Sequence, residues 1–217
     1  MAGLGVIGGH SILGSEYHHP DATLVLQRHG SPYTPAHLVD HEANLRQLLS
    51  HGCDRVLALS SVGGLRNELG VGTFVAPDDF IALHTSVTVF TDARGHTVPS
   101  LMSPWRDQVI DTWQAEAAGV AALRVRGVYW QTFGPRFETA AEIRFIAQFA
   151  DVVGMTMASE AIVAGELGLS YTCICVVDNL ANGVGERPLT IAEFEAGKRA
   201  NRAALIRALD AVIPALA

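Results

Sequence analysis

The chain has 217 residues, a formal net charge of −7, and 49% hydrophobic against 17% charged residues. This length and apolar content favour a single domain over residues 1–217 with a sizeable core, and they exclude an intrinsically disordered chain. The acidic balance argues against a nucleic-acid partner, because phosphate backbones are bound by clustered Lys and Arg. We expect no membrane partner either, since no apolar run approaches the roughly 20 residues of a membrane span.

In chain order, short β-branched runs alternate with helical patterns, without a repeat or a low-complexity linker. Strands are predicted over residues 4–7, 23–26, 55–59, 73–76, 127–131, 152–155 and 172–177. Helices are predicted over residues 35–50, 104–118, 140–149, 159–167 and 191–213, the last opened by a capping box from Thr190 to Glu193. Residues 81–103 fit an antiparallel extension or a loop over the substrate. The alternation predicts an α/β fold, with a central, mostly parallel mixed sheet flanked by helices.

Three cysteines, Cys53, Cys173 and Cys175, are too few and odd in number for a disulfide framework. They indicate a reducing compartment. The first residues lack the basic and apolar regions of a signal peptide, so we expect a cytoplasmic protein. Cys173 and Cys175 share one face of a predicted strand, which favours burial over a metal or redox role.

Polar and glycine-containing segments stand at or just after the ends of several predicted strands. They are Gly8-Gly9-His10-Ser11, Arg28-His29-Gly30, Ser60-Ser61-Val62-Gly63-Gly64-Leu65, Gly134-Pro135-Arg136-Phe137-Glu138-Thr139, Val153-Gly154-Met155-Thr156-Met157-Ala158-Ser159-Glu160 and Asp178-Asn179-Leu180-Ala181-Asn182-Gly183. In open α/β sheets ligands bind at this edge, and helix N-termini there suit anions. An ordinary turn explains any one of these segments on its own. Arg28 adds phosphate chemistry, because a guanidinium binds two oxyanion oxygens at once.

Gly3, Gly5 and Gly8 match the letters of a dinucleotide-binding fingerprint. That fingerprint needs a strand before its first glycine, whereas only two residues precede Gly3 and the apolar run falls inside the match. We therefore interpret residues 4–7 as a strand, followed by a turn whose backbone N–H groups approach an anion.

His37 and His41 have the spacing of metal ligands on one helix face. A third ligand with suitable spacing is lacking, and an exposed helix face explains the pair better. No metal is expected.

In this combination and order, the segments resemble the trimeric purine nucleoside phosphorylase and methylthioadenosine phosphorylase family, from about Gly5 to the last helix. The resemblance implies a nucleoside phosphorylase-like fold and a homotrimer. It also implies a pentosyltransferase that phosphorolyses a purine nucleoside to free base and pentose 1-phosphate. No cofactor is implied, because inorganic phosphate is the co-substrate. The N-glycosidic bond would break through an oxocarbenium-like state.

The resemblance also implies roles for individual residues. The phosphate-binding residues that it implies are Arg28, His29, Ser60, Ser61, Thr156, His10 and Ser11. The substrate-binding residues that it implies are Glu138, Phe137, Met155, Gly154, Ile191, Val62 and Gly63. Glu138 would accept from the purine N1–H, with a helix-start glutamate as the alternative. Met155 would pack on the ribose, and Phe137 on the base.

The base contact has two candidates. Asn179 aligned with the asparagine of the family implies a 6-oxopurine, because its amide has both a donor and an acceptor for O6 and N7. A shift of one residue puts Asp178 there and implies a 6-aminopurine. Ile191 stands where nucleoside phosphorylases carry a histidine for the ribose 5′-hydroxyl, so it implies a 5′-methylthio or other 5′-deoxy substrate. A core residue of the last helix is the equal alternative.

Three other functions stay open. The first is a 5′-methylthioadenosine phosphorylase. The second is a hydrolytic nucleosidase, in which water replaces phosphate. The third is an inactive nucleoside-binding protein, suggested by His10 and by a segment between Gly9 and Arg28 that is shorter than the family's.

Overall fold

The structure is a computed structural model that describes residues 3–12, 17–92, 95–186 and 189–217. The strands in these ranges are β1 (Gly3–Gly8), β2 (Leu24–Gln27), β3 (Cys53–Gly64), β4 (Phe74–Val75), β5 (Asp79–Ile81), β6 (Leu123–Arg124), β7 (Val128–Gln131), β8 (Val152–Gly154) and β9 (Ser170–Leu180). The α-helices are α1 (His41–Ser50), α2 (Pro104–Glu116), α3 (Ala140–Ile146), α4 (Met157–Glu166) and α5 (Ile191–Leu216). No helix in the described part of the chain is long and apolar enough to span a membrane.

The described strands form one nine-stranded mixed sheet, in which β5, β7, β8, β3, β9, β4 and β6 are successive neighbours and β1 joins β2 to β3. The ladders are parallel except those of β3 with β8 and of β4 with β9. The long strands β3 and β9 pair in parallel from Arg55 to Gly64. Their shared end brings residues 60–63 beside residues 175–179. The predicted α/β class with a mostly parallel mixed sheet is confirmed.

Helices cover both faces of the sheet, as the apolar runs of β3 and β9 predict for doubly covered strands. On one face Leu48 of α1 and Met157 of α4 share a core cluster with Val56 of β3. On the other face Trp113 of α2 and Leu209 of α5 join a second cluster. The side chains of β3 alternate between the two clusters, as a strand period of two requires.

The capping box from Thr190 to Glu193 opens α5 as predicted, and the three glycines of the rejected fingerprint lie inside β1. Every predicted strand is present, whereas β5 and β6 were not predicted. Of the two alternatives for residues 81–103, the antiparallel extension is not found among the described residues. Ile81 ends β5, which runs parallel to β7, and the described residues after it in this segment hold no strand. The two strands that were not predicted, β5 and β6, are only three and two residues long, which is too short to leave a periodic signal in the sequence.

The predicted helix over residues 35–50 is also wrong in its first part. A single 3₁₀ turn, Ala36–Leu38, is followed by extended Val39, and α1 begins only at His41. Asp40 sets this start, because its side chain accepts from the Ala43 N–H and caps the helix. His37 therefore does not share a helix with His41, and the spacing that suggested a metal site disappears.

Candidate active site

A cavity of about 310 Å³ lies at the edge of the sheet where β1, β2, β3, β8 and β9 end, and the first turn of α5 closes one side of it. The predicted site residues that line it are His10, Arg28, His29, Ser60, Ser61, Val62, Gly63, Phe137, Glu138, Gly154, Met155, Thr156, Asn179 and Ile191. Two predicted residues, Ser11 and Asp178, do not line it. Sequence-distant strand ends therefore meet at one place, as the carboxyl edge of an α/β sheet predicts.

Arg28 is held in one orientation by a buried ion pair. Its Nε and Nη2 donate to the two carboxylate oxygens of Glu160 at 2.8 and 2.7 Å, and Nη1 donates to the Leu59 carbonyl at 2.7 Å. Tyr171 donates to the same carboxylate at 3.0 Å. Burial is the largest single effect and opposes both charges, but for each group the partner's charge and hydrogen bonds, together with smaller contributions from neighbours, outweigh it. The pKa of Glu160 is therefore lowered to about 2, and the pKa of Arg28 is raised.

The contact expected between Arg28 and phosphate is restricted by this ion pair. Three of the five guanidinium N–H donors are used, so that one on Nη1 and one on Nη2 remain. Gly9 lets the turn after β1 approach this group, because a Cβ at this position would overlap Arg28 Nη1 and the Leu59 carbonyl. An anion in the cavity can reach Arg28 only through the two remaining donors.

Asp178 lies behind the cavity wall and is completely buried. It accepts from Ser11 Oγ at 3.0 Å, from Ser61 Oγ at 2.5 Å and from Asn201 Nδ2 at 2.8 Å. Burial raises the pKa of its carboxyl, against the effect of these three hydrogen bonds. Successive residues of a strand point to opposite faces, so Asp178 turns away while Asn179 lines the cavity.

Two sequence predictions are corrected by this arrangement. Asp178 is not the base contact, because its side chain is enclosed by Ser11, Ser61 and Asn201. Ser11 is not a phosphate-binding hydroxyl, because its buried side chain donates to Asp178. Ser61 does line the cavity, but its hydroxyl proton is directed at the same carboxylate.

The N-terminus of α4 is occupied by side chains from β7. Tyr129 Oη accepts from the Thr156 and Met157 N–H groups at 3.2 and 3.3 Å, and Gln131 Oε1 accepts from the Ser159 N–H at 3.0 Å. These donors were expected to bind an anion, and they are not free to do so. Thr156 itself is buried and lines the cavity.

The cavity lining also includes an amide and a carboxylate. Asn179 Nδ2 donates to the Leu180 carbonyl at 2.9 Å, which fixes the orientation of the amide. Glu138 is buried and accepts from Thr132 Oγ1 at 2.6 Å. Glu138 directly precedes Thr139, the N-cap of α3, and the capping box of that helix is completed by Glu142.

An aromatic group that the sequence analysis did not identify forms another wall. Tyr33 stacks on His29 with ring centroids 5.1 Å apart, and Phe194 lies 5.3 Å from His10 and 5.6 Å from Phe137. Burial, and after it the positive charge of Lys198, lowers the pKa of His10 to about 4. His10 is therefore neutral near pH 7 and gives an anion no positive charge.

Ile191 is the first residue of α5 and is 65% exposed while lining the cavity. The interpretation of Ile191 as a core residue is therefore wrong. Glu195, one turn on, also lines the cavity and is held by Lys198 at 2.8 Å. The helical period of this segment had predicted a core face, but the first turn of α5 extends past the packed part of the sheet.

A second cavity of about 190 Å³ lies beside the first and shares Ala36 and Met155 with it. His37, His41 and His84 line this second cavity. Among the residues that the structure describes, no group of three or more His, Cys, Asp or Glu side chains has the arrangement to hold a metal ion. The three cysteines are buried and free.

The fold and the cavity define an α/β protein with a polar-lined cavity at the carboxyl edge of its sheet. The chain belongs to the phosphorylase superfamily, which it matches over residues 8–214.

Two relatives and one solved structure illustrate the similarity. A probable 6-oxopurine nucleoside phosphorylase of Archaeoglobus fulgidus is 39% identical over 173 residues, which cover 78% of this chain and 70% of the relative. A probable S-methyl-5′-thioinosine phosphorylase of Pseudomonas syringae pv. tomato is 35% identical over 205 residues, which cover 87% of this chain and 80% of the relative. The structure of methylthioadenosine phosphorylase from Schistosoma mansoni in complex with adenine superposes with a TM-score of 0.79. The superposition covers 99% of this chain and 91% of the Schistosoma mansoni chain. Because the two sequences are only 21% identical, this similarity shows the fold alone.

Proposed function

We propose that the protein phosphorolyses the N-glycosidic bond of a purine nucleoside, giving the free base and pentose 1-phosphate. The observation that carries this proposal is that one cavity is lined both by Arg28, Ser60 and Thr156 and by Asn179 and Glu138. Such a cavity can hold an oxyanion and a heterocycle together. Relatives of this chain that are 35–39% identical are named as nucleoside phosphorylases.

Catalysis in this proposal rests on positioning and on charge. Phosphate is held beneath the anomeric carbon by the two free donors of Arg28 and by the hydroxyls of Ser60 and Thr156, which supplies several kcal/mol through proximity. Negative charge grows on the purine as the bond breaks. Asn179 stabilises that charge by hydrogen bonding, because its amide is already oriented before the reaction.

The substrate that we favour is a 6-oxopurine nucleoside with an apolar 5′ substituent. A 6-oxopurine has an N1–H from which Glu138 can accept a hydrogen bond. Its O6 and N7 suit the amide of Asn179. Ile191 cannot pair a ribose 5′-hydroxyl, and an unpaired buried hydroxyl costs about 1–3 kcal/mol. The names of the two relatives, a 6-oxopurine and a methylthioinosine phosphorylase, agree with this choice.

We further propose a cytoplasmic homotrimer without a cofactor, with phosphate as co-substrate. Large apolar side chains are exposed around α3, namely Phe133, Phe145 and Phe149. Exposed apolar clusters mark protein contacts, and a second copy of the chain is the simplest partner. Sedimentation that gives a monomer at micromolar concentration contradicts the trimer.

The experiment that tests this function is a panel of inosine, adenosine, methylthioinosine and methylthioadenosine, each assayed with and without phosphate. We expect methylthioinosine to be the best substrate, inosine the next, and turnover to require phosphate. Equal rates without phosphate indicate a hydrolytic nucleosidase. Binding without release of the base indicates an inactive nucleoside-binding protein. A preference for methylthioadenosine indicates a methylthioadenosine phosphorylase.

A further inference from the structure

The buried carboxylate of Asp178 fixes the direction of a hydrogen bond in the cavity wall. Its Oδ2 accepts from Ser61 Oγ at 2.5 Å and from Ser11 Oγ at 3.0 Å. An ionised carboxylate has only acceptors and a hydroxyl has only one proton, so both serine protons point toward Asp178. Ser61 also lines the cavity. Toward a ligand, its oxygen therefore offers lone pairs and no proton.

The groups that contact Asp178 are hydrogen-bond donors, and they act to keep its carboxyl ionised against the larger effect of burial, which raises its pKa. Its Oδ1 accepts from Asn201 Nδ2, which also donates to the Val177 carbonyl, and this second bond sets the orientation of the amide. The donors come from three elements: the turn after β1, β3 and α5. The ammonium of Lys198, also on α5, adds a favourable charge, whereas burial acts in the opposite direction.

The cavity lining has little uncompensated positive charge. Arg28 is the only Lys or Arg among the described residues that line the cavity, and Glu160 balances that charge at 2.7 Å. His29 Nδ1 lies 2.8 Å from the Thr34 carbonyl and donates to it, so that Nε2 of the neutral ring is an acceptor. Burial lowers the pKa of His29. An oxyanion bound here therefore meets acceptors as well as donors.

We infer that Asp178 makes Ser61 a hydrogen-bond acceptor, and that this selects an oxyanion that carries a proton, phosphate over sulfate. Inorganic phosphate near neutral pH keeps at least one P–O–H group, which can donate to Ser61 Oγ. Sulfate has no such proton, so two acceptors would face each other without a bond, an unfavourable arrangement in a partly desolvated site. Asp178 does not line the cavity and is a positioning residue. The inference rests on the proposed function, because it takes the cavity to hold phosphate.

Calorimetric titration of the protein with inorganic phosphate and, separately, with sulfate measures this selectivity without any need for turnover. For the unmodified chain we expect the dissociation constant of sulfate to exceed that of phosphate by about tenfold or more. One good hydrogen bond accounts for a preference of this size.

Asp178→Asn reverses the polarity of the network while keeping its shape. The amide oxygen can still accept from Asn201, and the NH₂ group can donate to both serine oxygens. The Ser61 proton is then free to turn into the cavity, so we expect sulfate to bind more tightly and the selectivity ratio to fall toward one. Ser61→Ala removes the acceptor and should also lower the ratio.

Ser11→Ala is the matched control. Ser11 donates to the same carboxylate but does not line the cavity, so this variant should keep the ratio of the unmodified chain. If Asp178→Asn fails to fold, the selectivity ratios of Ser61→Ala and Ser11→Ala are compared instead. The inference then requires a lower ratio in Ser61→Ala than in Ser11→Ala.

A ratio near one in the unmodified chain overturns the inference, and so does a ratio that neither Asp178→Asn nor Ser61→Ala lowers. If neither anion binds, both the inference and the proposed phosphate site fail. Phosphate-selective binding without phosphate-dependent release of a base leaves the inference standing and overturns the proposed function.

Discussion

The Arg28 guanidinium and the Glu160 carboxylate form a two-point ion pair whose side chains are only 1% and 0% exposed. This pair joins the end of β2 to the first turns of α4, two segments that are 132 positions apart in sequence. It fixes Arg28 at the cavity wall and leaves it two free donors. The ion pair therefore contributes both to stability and to the geometry of the anion site.

Glu160→Gln tests the structural part of this role. The variant leaves a buried guanidinium without a counter-charge, and breaking a buried ion pair costs about 3–5 kcal/mol. We expect the free energy of unfolding, measured by denaturant titration, to fall by about that amount. Glu142→Gln is the control, because Glu142 also accepts two hydrogen bonds from one guanidinium, that of Arg136, but on the surface. A much smaller loss is expected there, and comparable losses in the two variants would contradict the assignment.

Asn179→Asp tests the base contact. In the native chain the amide donates to the Leu180 carbonyl, and a carboxylate in its place would face that oxygen and the purine O6 without a proton. We expect kcat/KM for inosine to fall about tenfold or more, with a shift of preference toward adenosine, whose amino group can donate. An unchanged ratio of inosine to adenosine turnover would show that Asn179 does not contact the base.

Ile191→His tests the 5′ specificity. Ile191 is an exposed cavity residue, so the change does not disturb the core. An imidazole supplies a partner for a 5′-hydroxyl, and the ratio of kcat/KM for inosine over methylthioinosine should rise about tenfold. Val71→His, also at an exposed apolar position but outside the cavity lining, is the control. If both variants give the same ratio, Ile191 does not read the 5′ group.

The neutral state of His10 predicts a pH dependence of stability. Burial, helped by Lys198, lowers the pKa of His10 from 6.5 to about 4. Between these values the unfolded chain binds a proton that the folded chain does not, so the contribution of His10 to stability is lost as the pH falls through this window. His10→Gln should reduce the difference in unfolding free energy between about pH 7 and about pH 5. Parallel losses in the variant and the native chain would argue against the lowered pKa.

The long strands and the sheet class were predictable because β3 and β9 carry uninterrupted apolar runs between helical patterns. The short strands β5 and β6 were not, since two or three residues have no periodicity of their own. The start of α1 was misplaced because Pro35 and the residues after it fit a helix. The actual start is marked by a local feature, the capping hydrogen bond that Asp40 accepts from the Ala43 N–H.

The cavity lining was largely predictable, because strand ends of an α/β sheet converge on one edge. The sequence did not predict which side chains of these segments face the cavity. Ser11 and Asp178 each neighbour a lining residue, yet their side chains bond to each other behind the cavity wall, a contact between positions 167 residues apart. Glu160 as the partner of Arg28, and Tyr129 as the cap of α4, depend on contacts far apart in sequence that no local pattern records.

The most direct measurement is to incubate the protein with methylthioinosine and inorganic phosphate and to follow the phosphorus by ³¹P NMR while the free base is quantified. We predict one pentose 1-phosphate for each base released, and no release when phosphate is omitted. Release of base at the same rate without phosphate, with a free sugar as the product, would contradict phosphorolysis.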